Sequence, residues 1–390
     1  MYFPRQAEKT IARLLEQYPA IVLSGPRQSG KSTLAKKILD GLPYVSLENL
    51  DERSFAVSDP RAFLNRFTGG GVIDEIQKAP DLLSYLQSFL DEKKNAKPII
   101  LTGSAQLTLL ANVSQTLSGR VAIVELLPLA YSELKSEAPK KLEEMLFEGM
   151  YPKIHKEKLS PSDWIQDYIK TYIERDVRDI LKIHDLASFQ RFVKMCAARA
   201  GQILNLSSLA NDCGISHSSA ASWLNILETT YIVHRVRPHF RNFSKRLIKS
   251  PKLYFYDTGI LCFLLSIKNA EELVNHSMRG AIMENWVASE IVKSRFNLHQ
   301  QNDLAFWRDS KGNEVDFIVE RKGKLLPIEV KSGQTVNADY FKGLKYWRDL
   351  AGEDAGASAV LFAGDTSQSR SNIDVYGWRD MDKFLKTITL

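Results

Sequence analysis

Cysteine is scarce in these 390 residues: Cys196, Cys213 and Cys262 lie far apart, and no two form a C-x-x-C pair. That excludes a disulfide framework and a zinc ribbon, and it fits a reducing, cytoplasmic setting. Long hydrophobic runs are also missing. No stretch approaches the ~20 apolar residues that a membrane helix needs, so no membrane partner is expected. The opening MYFPRQAEKT lacks the basic, apolar and small-residue succession of a secretory signal. Acid is absent from one long stretch. Between Thr229 and Tyr256 there is no Asp or Glu, while Arg235, Arg237, Arg241, Lys245, Arg246, Lys249 and Lys252 supply seven bases. Those seven exceed the whole net charge of +6, which leaves the rest of the chain slightly acidic. A basic concentration of this kind reads either as a polyanion-binding surface or as a solvated hairpin.

What is present points first to phosphate. Gly25-Pro26-Arg27-Gln28-Ser29-Gly30-Lys31-Ser32-Thr33 fits the pattern G-x-x-x-x-G-K-[ST]. The apolar AIVLS ahead of it reads as a buried strand, and STLAKKILDGL behind it has helical spacing at Leu34, Ile38 and Leu42. Strand, glycine-rich loop and helix are the context in which backbone amides cradle phosphates. Lys31 would reach the β- and γ-phosphates of ATP, and the Ser32 hydroxyl would ligate Mg²⁺. A second apolar run, GVI, ends in Asp74 and Glu75. Asp74 is expected to hold Mg²⁺ through water and Glu75 to polarise the attacking water. A third, PIILTGSAQ, ends in Thr102 and Ser104, placed to orient that water. Arg120 in LSGR reads either as a charge-stabilising arginine, supplied in cis or by a neighbouring copy, or as an ordinary salt-bridged residue.

The pieces IVLSGPRQSGKSTL, VIDEIQKAPDLL, IILTGSAQ, LSGRV and ELLPLAYSE together resemble a widespread family of bacterial and archaeal AAA-type ATPases. Proteins of that family carry an additional C-terminal domain of unknown function. The resemblance implies a doubly wound nucleotide-binding core and gives Thr102 a sensor-like role.

The middle of the chain reads as helical. SDWIQDYIKTYIERDVRDILKI has helical spacing and suggests a helix on the ATPase core, with Arg175 and Arg178 on its surface. Next, NLSSLANDCGISHSSAASWLNILET reads as helix, turn at Cys213-Gly214-Ile215, and a second helix capped by Ser216 with core positions Ala220, Leu224 and Leu227. The basic stretch follows where a winged helix places its wing, so Arg241, Lys245 and Arg246 are candidate DNA-backbone contacts. The second helix carries no Arg or Lys at its exposed start, which argues against sequence-specific reading.

Near the C-terminus, NEVDFIVERKGKLLPIEVKSG reads as a hairpin: Glu314 to Glu320, a turn over Arg321 to Lys324, then Leu325 to Lys331. Period-two alternation puts Glu329 and Lys331 on one face, opposite Asp316. Two acids and a lysine are the set that metal-dependent phosphodiester cleavage uses. The arrangement resembles the PD-(D/E)xK nuclease superfamily, with Asp316 and Glu329 as metal ligands and Lys331 as the catalytic lysine. The resemblance implies a further acid on the preceding helix, Glu284, with Glu290 less favoured. Glu314-Val315 stands where the superfamily usually has a proline before the aspartate. Surface charges, an unused nuclease-like fold and an active nuclease all remain open.

These readings give an α/β protein in three parts: a doubly wound P-loop ATPase core over 1–155, a helical and winged-helix region over 156–268, and a restriction-endonuclease-like α/β domain over 269–390. The expected function is ATP hydrolysis in the service of DNA repair, recombination or defence, with Mg²⁺ at the ATPase site and Mn²⁺ or Mg²⁺ at the C-terminal acids. A regulatory ATPase switch whose last domain binds without cutting is the alternative. A homo-oligomer is compatible with either.

Overall fold

The computed structural model describes residues 2–92, 98–104, 113, 116–134, 137–173, 185–239, 249–370 and 372–389. The chain divides into two compact units. The first comprises Met1–Leu129 with Thr229–Tyr231 and Phe296–Gln300, and the second holds the remainder.

The first unit is built on five strands: β1 (Ala20–Gly25), β2 (Tyr44–Ser46), β3 (Gly71–Asp74), β4 (Ile99–Ser104) and β5 (Val121–Glu125). All pairings are parallel, in the order β2-β3-β4-β1-β5. The expected strands at β1, β3 and β4 are present. β1 is buried along its whole length, as a strand covered on both faces must be. Its residues alternate between two apolar clusters. Ile21 and Leu23 pack with Ile11, Leu14 and Leu34 from the helices Ala7–Leu15 and Lys31–Ile38. Ala20 and Val22 face Phe63, Leu82 and Leu86 on the opposite side. Each such fully buried Leu or Ile contributes roughly 1.5–3 kcal/mol. The chain runs inward from β2 through β3 to β4, passes over β1 and ends at β5. That reversal opens a crevice at the carboxyl ends of β1 and β4.

The second unit carries an eight-stranded mixed sheet in the order β12-β13-β11-β10-β9-β8-β6-β7. Its strands are β6 (Val233–Pro238), β7 (Lys252–Phe255), β8 (Ala305–Arg308), β9 (Glu314–Arg321), β10 (Lys324–Lys331), β11 (Ala359–Phe362), β12 (Gln368–Arg370) and β13 (Ile373–Gly377). The expected hairpin is β9–β10, with a tighter turn than the sequence suggested. Lys322 and Gly323 form it with φ of 51° and 75°, the left-handed pair that a two-residue hairpin turn requires. One face of this sheet is covered by the helix Lys342–Ala351, which buries Leu344 and Trp347 against Val315 and Val360. The hairpin β6–β7 joins the same sheet through parallel pairing of Arg237 with Ala305 and Pro238 with Phe306. The sheet therefore runs across the 268/269 division drawn from the sequence.

Ahead of β6 stand the helices Leu206–Cys213 and His217–Thr229, joined at Gly214, whose φ of 68° ends the first of them. Ser216 caps the second by accepting from the Ser219 amide at 3.0 Å, and Ala220, Leu224 and Leu227 are buried. The helix Pro161–Tyr168 belongs to this second unit and packs there on the helix Thr258–Leu264. Arg175, Arg178, Arg241, Lys245 and Arg246 lie outside the described residues. Among the described residues no helix is long and apolar enough to cross a membrane.

The helix Arg279–Asn297 is pinned to β7 by Asn285, whose side chain accepts from the Phe255 amide at 2.6 Å and donates to its carbonyl at 2.8 Å. Glu290 on this helix is fully buried, 2.8 Å from the Lys293 ammonium, and it accepts from the Tyr131 amide at 2.9 Å. Both bonds are structural, which removes Glu290 from the candidate ligands. Glu290→Ala takes the carboxylate from a buried ammonium, so we expect a loss of roughly 3 kcal/mol, read as a lowered denaturant midpoint.

Candidate functional site

The register of the first sheet assembles the nucleotide site. Gly25 at the end of β1 lies beside Ser104 of β4, and Ile73 beside Leu101 brings Asp74 next to Thr102. Gly25 has φ of 148°, and a Cβ there would meet the Leu126 carbonyl oxygen at 2.2 Å. Only glycine lets β1 turn into the loop at that point. Pro26 to Ser29 form the loop, with Gln28 at φ 59°, and Gly30 enters the helix Lys31–Ile38 at φ 96°. Lys31, Ser32 and Thr33 make its first turn. The Lys31 ammonium donates to the carbonyls of Gly25 at 3.0 Å and Pro26 at 2.7 Å. Burial pulls its pKa down to about 8, against the raising pull of Glu75 and Asp74. Arg5, also buried, ties the loop down from beneath, donating to Ser29 O at 2.8 Å and Leu127 O at 2.7 Å.

Asp74 is the hub. Its Oδ1 accepts from the Ser32 hydroxyl at 2.7 Å and from the Thr102 hydroxyl, and its Oδ2 accepts from the Tyr44 hydroxyl at 2.7 Å. Glu75 adopts the left-handed conformation at φ 57° and ψ 46°, uncommon for a side-chain-bearing residue and typical of strained functional positions. Burial raises the Glu75 carboxyl above its ordinary range, with Lys31 opposing. Gln77 joins Glu75 to Ser104, donating to the carboxylate and, at 3.0 Å, to the hydroxyl.

The donor set fits Mg²⁺–ATP: curled backbone amides, a buried ammonium, a Ser32–Asp74 pair and a strained acid. Gly25 through Thr33 would hold the phosphates, and Ser32 with Asp74 the metal. When bound, the metal supplies polarisation of the terminal phosphate. Arg120 stands elsewhere. It forks onto Asp91 at 2.7 and 2.8 Å. Register pairs Val121 with Ala20, at the far end of β1 from the phosphate loop, about 16 Å away along the strand. Within one chain it is a salt-bridged residue.

The C-terminal residues also gather, though with an addition. Asp316 accepts from the Val330 amide at 2.8 Å, and Lys331 pairs with Glu329. Glu284 comes to the same place because Asn285 locks its helix to β7. Its carboxylate accepts from Tyr254 and, at 3.0 Å, from Lys252. Lys252 also pairs with Glu314, which Arg308 approaches at 3.2 Å. Burial raises the carboxyls of Glu284, Glu329 and Asp316, and mutual repulsion adds to the shift on the first two. Burial would lower Lys252, but Glu284, Asp316 and Glu314 carry it above the ordinary lysine range. Glu329 Oε2 is buried without a hydrogen-bond partner. Among the described residues no three His, Cys, Asp or Glu side chains stand in metal-ligating geometry. With an ammonium between Glu284 and Glu314, the side chains as they stand do not fit a divalent ion.

Comparison with known proteins agrees with the geometry of the first unit. Residues 17–135 match an AAA domain, 139–271 a domain of unknown function (DUF8612), and 279–381 another domain of unknown function (DUF4143). An uncharacterized protein of Mycobacterium tuberculosis is 31% identical over 334 residues, covering 85% of this chain and 74% of that protein, and one of Mycobacterium bovis matches equally. The chain belongs to their family. An uncharacterized protein of Haemophilus influenzae is 22% identical over 341 residues, covering 79% of this chain and 81% of its own. Among solved structures, a Walker-type ATPase of Pyrococcus abyssi aligns with a TM-score of 0.38 and 16% identity, over 67% of this chain and 96% of its own.

The first unit is thus a P-loop ATPase of AAA type. Sequence reading missed Tyr44 and Gln77 in its site, and Lys252 and Tyr254 in the second. Lys252 was counted among surface bases, yet it opens the apolar run LYFY and is 3% exposed. Arg235 is also taken, by a fork onto Glu228.

Lys31 generates a pH test. Its free pKa is about 8, and bound phosphates favour the ammonium, so binding takes up a proton above that pH. ATP affinity should hold below pH 8 and fall roughly tenfold by pH 9. Lys31→Arg, always charged, should flatten the profile in a calorimetric titration.

Proposed function

We propose that this protein hydrolyses ATP at the phosphate loop and uses the cycle to act on DNA. The helix-turn-helix and basic hairpin make up its DNA-contacting lid, and the nuclease-like C-terminal domain binds without cutting. The observation that carries the ATPase part is the convergence of Ser32, Asp74, Glu75 and Thr102 at the carboxyl ends of β1, β3 and β4. Glu75, raised by burial, is the base for the attacking water. Thr102 and Gln77 hold it in place. Arg120 would act on a nucleotide only from a neighbouring copy, which makes a homo-oligomer part of this reading.

DNA as partner is supported by the acid-free stretch from Thr229 to Tyr256 and by its position after two helices of helix-turn-helix form. With Arg235 and Lys252 engaged internally, Arg237, Arg241, Lys245, Arg246 and Lys249 are the bases left for phosphate. The non-cutting reading is favoured by Lys252, which sits among the acids that would otherwise hold a metal. Residues 1–155, 156–268 and 269–390 remain our functional division.

Glu75→Gln should bind ATP as wild type does and lose turnover by roughly 10²–10⁴-fold, while Lys31→Ala should lose binding. Equal turnover by Glu75→Gln and wild type in a steady-state phosphate-release assay would remove Glu75 as the base. DNA affinity should fall steeply with salt, and alanine at Arg241, Lys245 and Arg246 together should shallow the log–log slope by about 2–3. An unchanged slope would put the contact elsewhere.

A further inference from the structure

Four carboxylates meet at one end of the C-terminal hairpin: Glu284 from the helix, Glu314 and Asp316 from β9, and Glu329 from β10. Such a group gathers only where cations compensate it. Two lysines do so, in different ways. Lys331 is half-exposed, two residues beyond Glu329 on the same strand face; its ion pair is with that residue, while Asp316 and Glu284 act on it from further off. Lys252 comes from β7, a strand separated in sequence from all four acids, and is 3% exposed. It bonds Glu284 at 3.0 Å and Glu314 at once, and its ammonium stands 5.5 Å from the centre of the Phe306 ring.

A buried lysine is costly unless its place is built for it. Here the building is visible. Asn285 fixes the helix against β7 through both Phe255 backbone groups. Tyr254 supplies a hydroxyl to the same Glu284 oxygen that Lys252 uses, leaving that oxygen doubly occupied. Arg308 approaches the other oxygen of Glu314 at 3.2 Å. Every carboxylate of the group is thereby engaged by a donor of the chain, Glu329 through one oxygen by Lys331, and the other Glu329 oxygen stays buried and open.

We propose that Lys252 is the resident cation of this carboxylate group: its ammonium occupies the ground between Glu284 and Glu314, and the natural protein holds no divalent metal there. The inference rests on reading the hairpin as nuclease-like, since that reading is what assigns a cation to these acids. It makes Lys252 the residue that decides between a metal site and a closed ion-pair network. Removing its charge frees Glu284 and Glu314, adds net negative charge beside Asp316, and leaves the open Glu329 oxygen as a further ligand for a hard cation.

The test is Mn²⁺ binding to the full chain without nucleotide, followed by electron paramagnetic resonance of the free ion. Wild type, Lys252→Met, Asp316→Asn and the double variant are compared. Methionine keeps the apolar stem and deletes the charge; Lys252→Gln is the substitute if the methionine variant has lost its cooperative melting transition. Wild type should match Asp316→Asn, with no Asp316-dependent site. Lys252→Met should gain one such site, binding at least tenfold more tightly than wild type, and the double variant should lose it. If wild type already shows an Asp316-dependent site as tight as that of Lys252→Met, the proposal falls and the hairpin stands as a metal site. If folded Lys252→Met and Lys252→Gln gain nothing, the proposal falls together with the nuclease-like reading of the acids.

Discussion

The carboxylate of Asp74 is the point on which the nucleotide-binding unit depends. Three hydroxyls reach it, from Ser32 on the phosphate-loop helix, Thr102 on β4 and Tyr44 on β2. Each of these bonds takes one of the acceptor positions that a carboxylate offers. By accepting them it ties together the ends of β2, β3 and β4 and the start of the phosphate-loop helix. The strain at Glu75 follows directly. With Asp74 held inward, the next residue must turn out through left-handed backbone, and Gln77 and Ser104 receive it. The three donors to Asp74 are hydroxyls, groups that water or a metal can replace without leaving a buried charge unpaired.

The second carboxylate group is built on the opposite principle. Beside the Tyr254 hydroxyl and the Val330 amide its donors are two ammonium groups and a guanidinium, and its own acids are pushed toward their neutral forms by burial. Withdrawing Lys252 would leave formal negative charge in a closed setting. One protein thus holds two acid clusters with different prospects. The first holds its acid with hydroxyls, whereas the second sets two lysines and an arginine against four carboxylates.

The sequence made the first cluster legible because its residues sit at fixed offsets from strand ends. Apolar runs ending in Gly25, Asp74 and Ser104 identify parallel strands, and parallel register brings those ends together. Tyr44 escaped notice because β2 is three residues long with no distinctive pattern. The β9–β10 hairpin was legible from alternation and a turn placed over Arg321 to Lys324, and Glu284 from resemblance. Lys252 was not, because its neighbours are set by pairings far apart in sequence: β6 with β8, and Asn285 with Phe255. A count of charges along the chain treats it as one more surface base. The division at 268/269 likewise followed composition, and the shared sheet depends on a two-residue parallel bridge that composition does not register.

On nucleotide binding Asp74 would exchange a hydroxyl donor for Mg²⁺ or one of its waters. The most direct measurement is nucleotide affinity with and without Mg²⁺, in wild type and in Asp74→Asn, which keeps hydrogen-bond acceptance on one atom and removes the charge. The account predicts that Mg²⁺ tightens ATP binding to the wild type by tenfold or more (roughly 1.4 kcal/mol) and leaves Asp74→Asn nearly unmoved, with similar metal-free affinities for the two. Equal tightening in both proteins would contradict it.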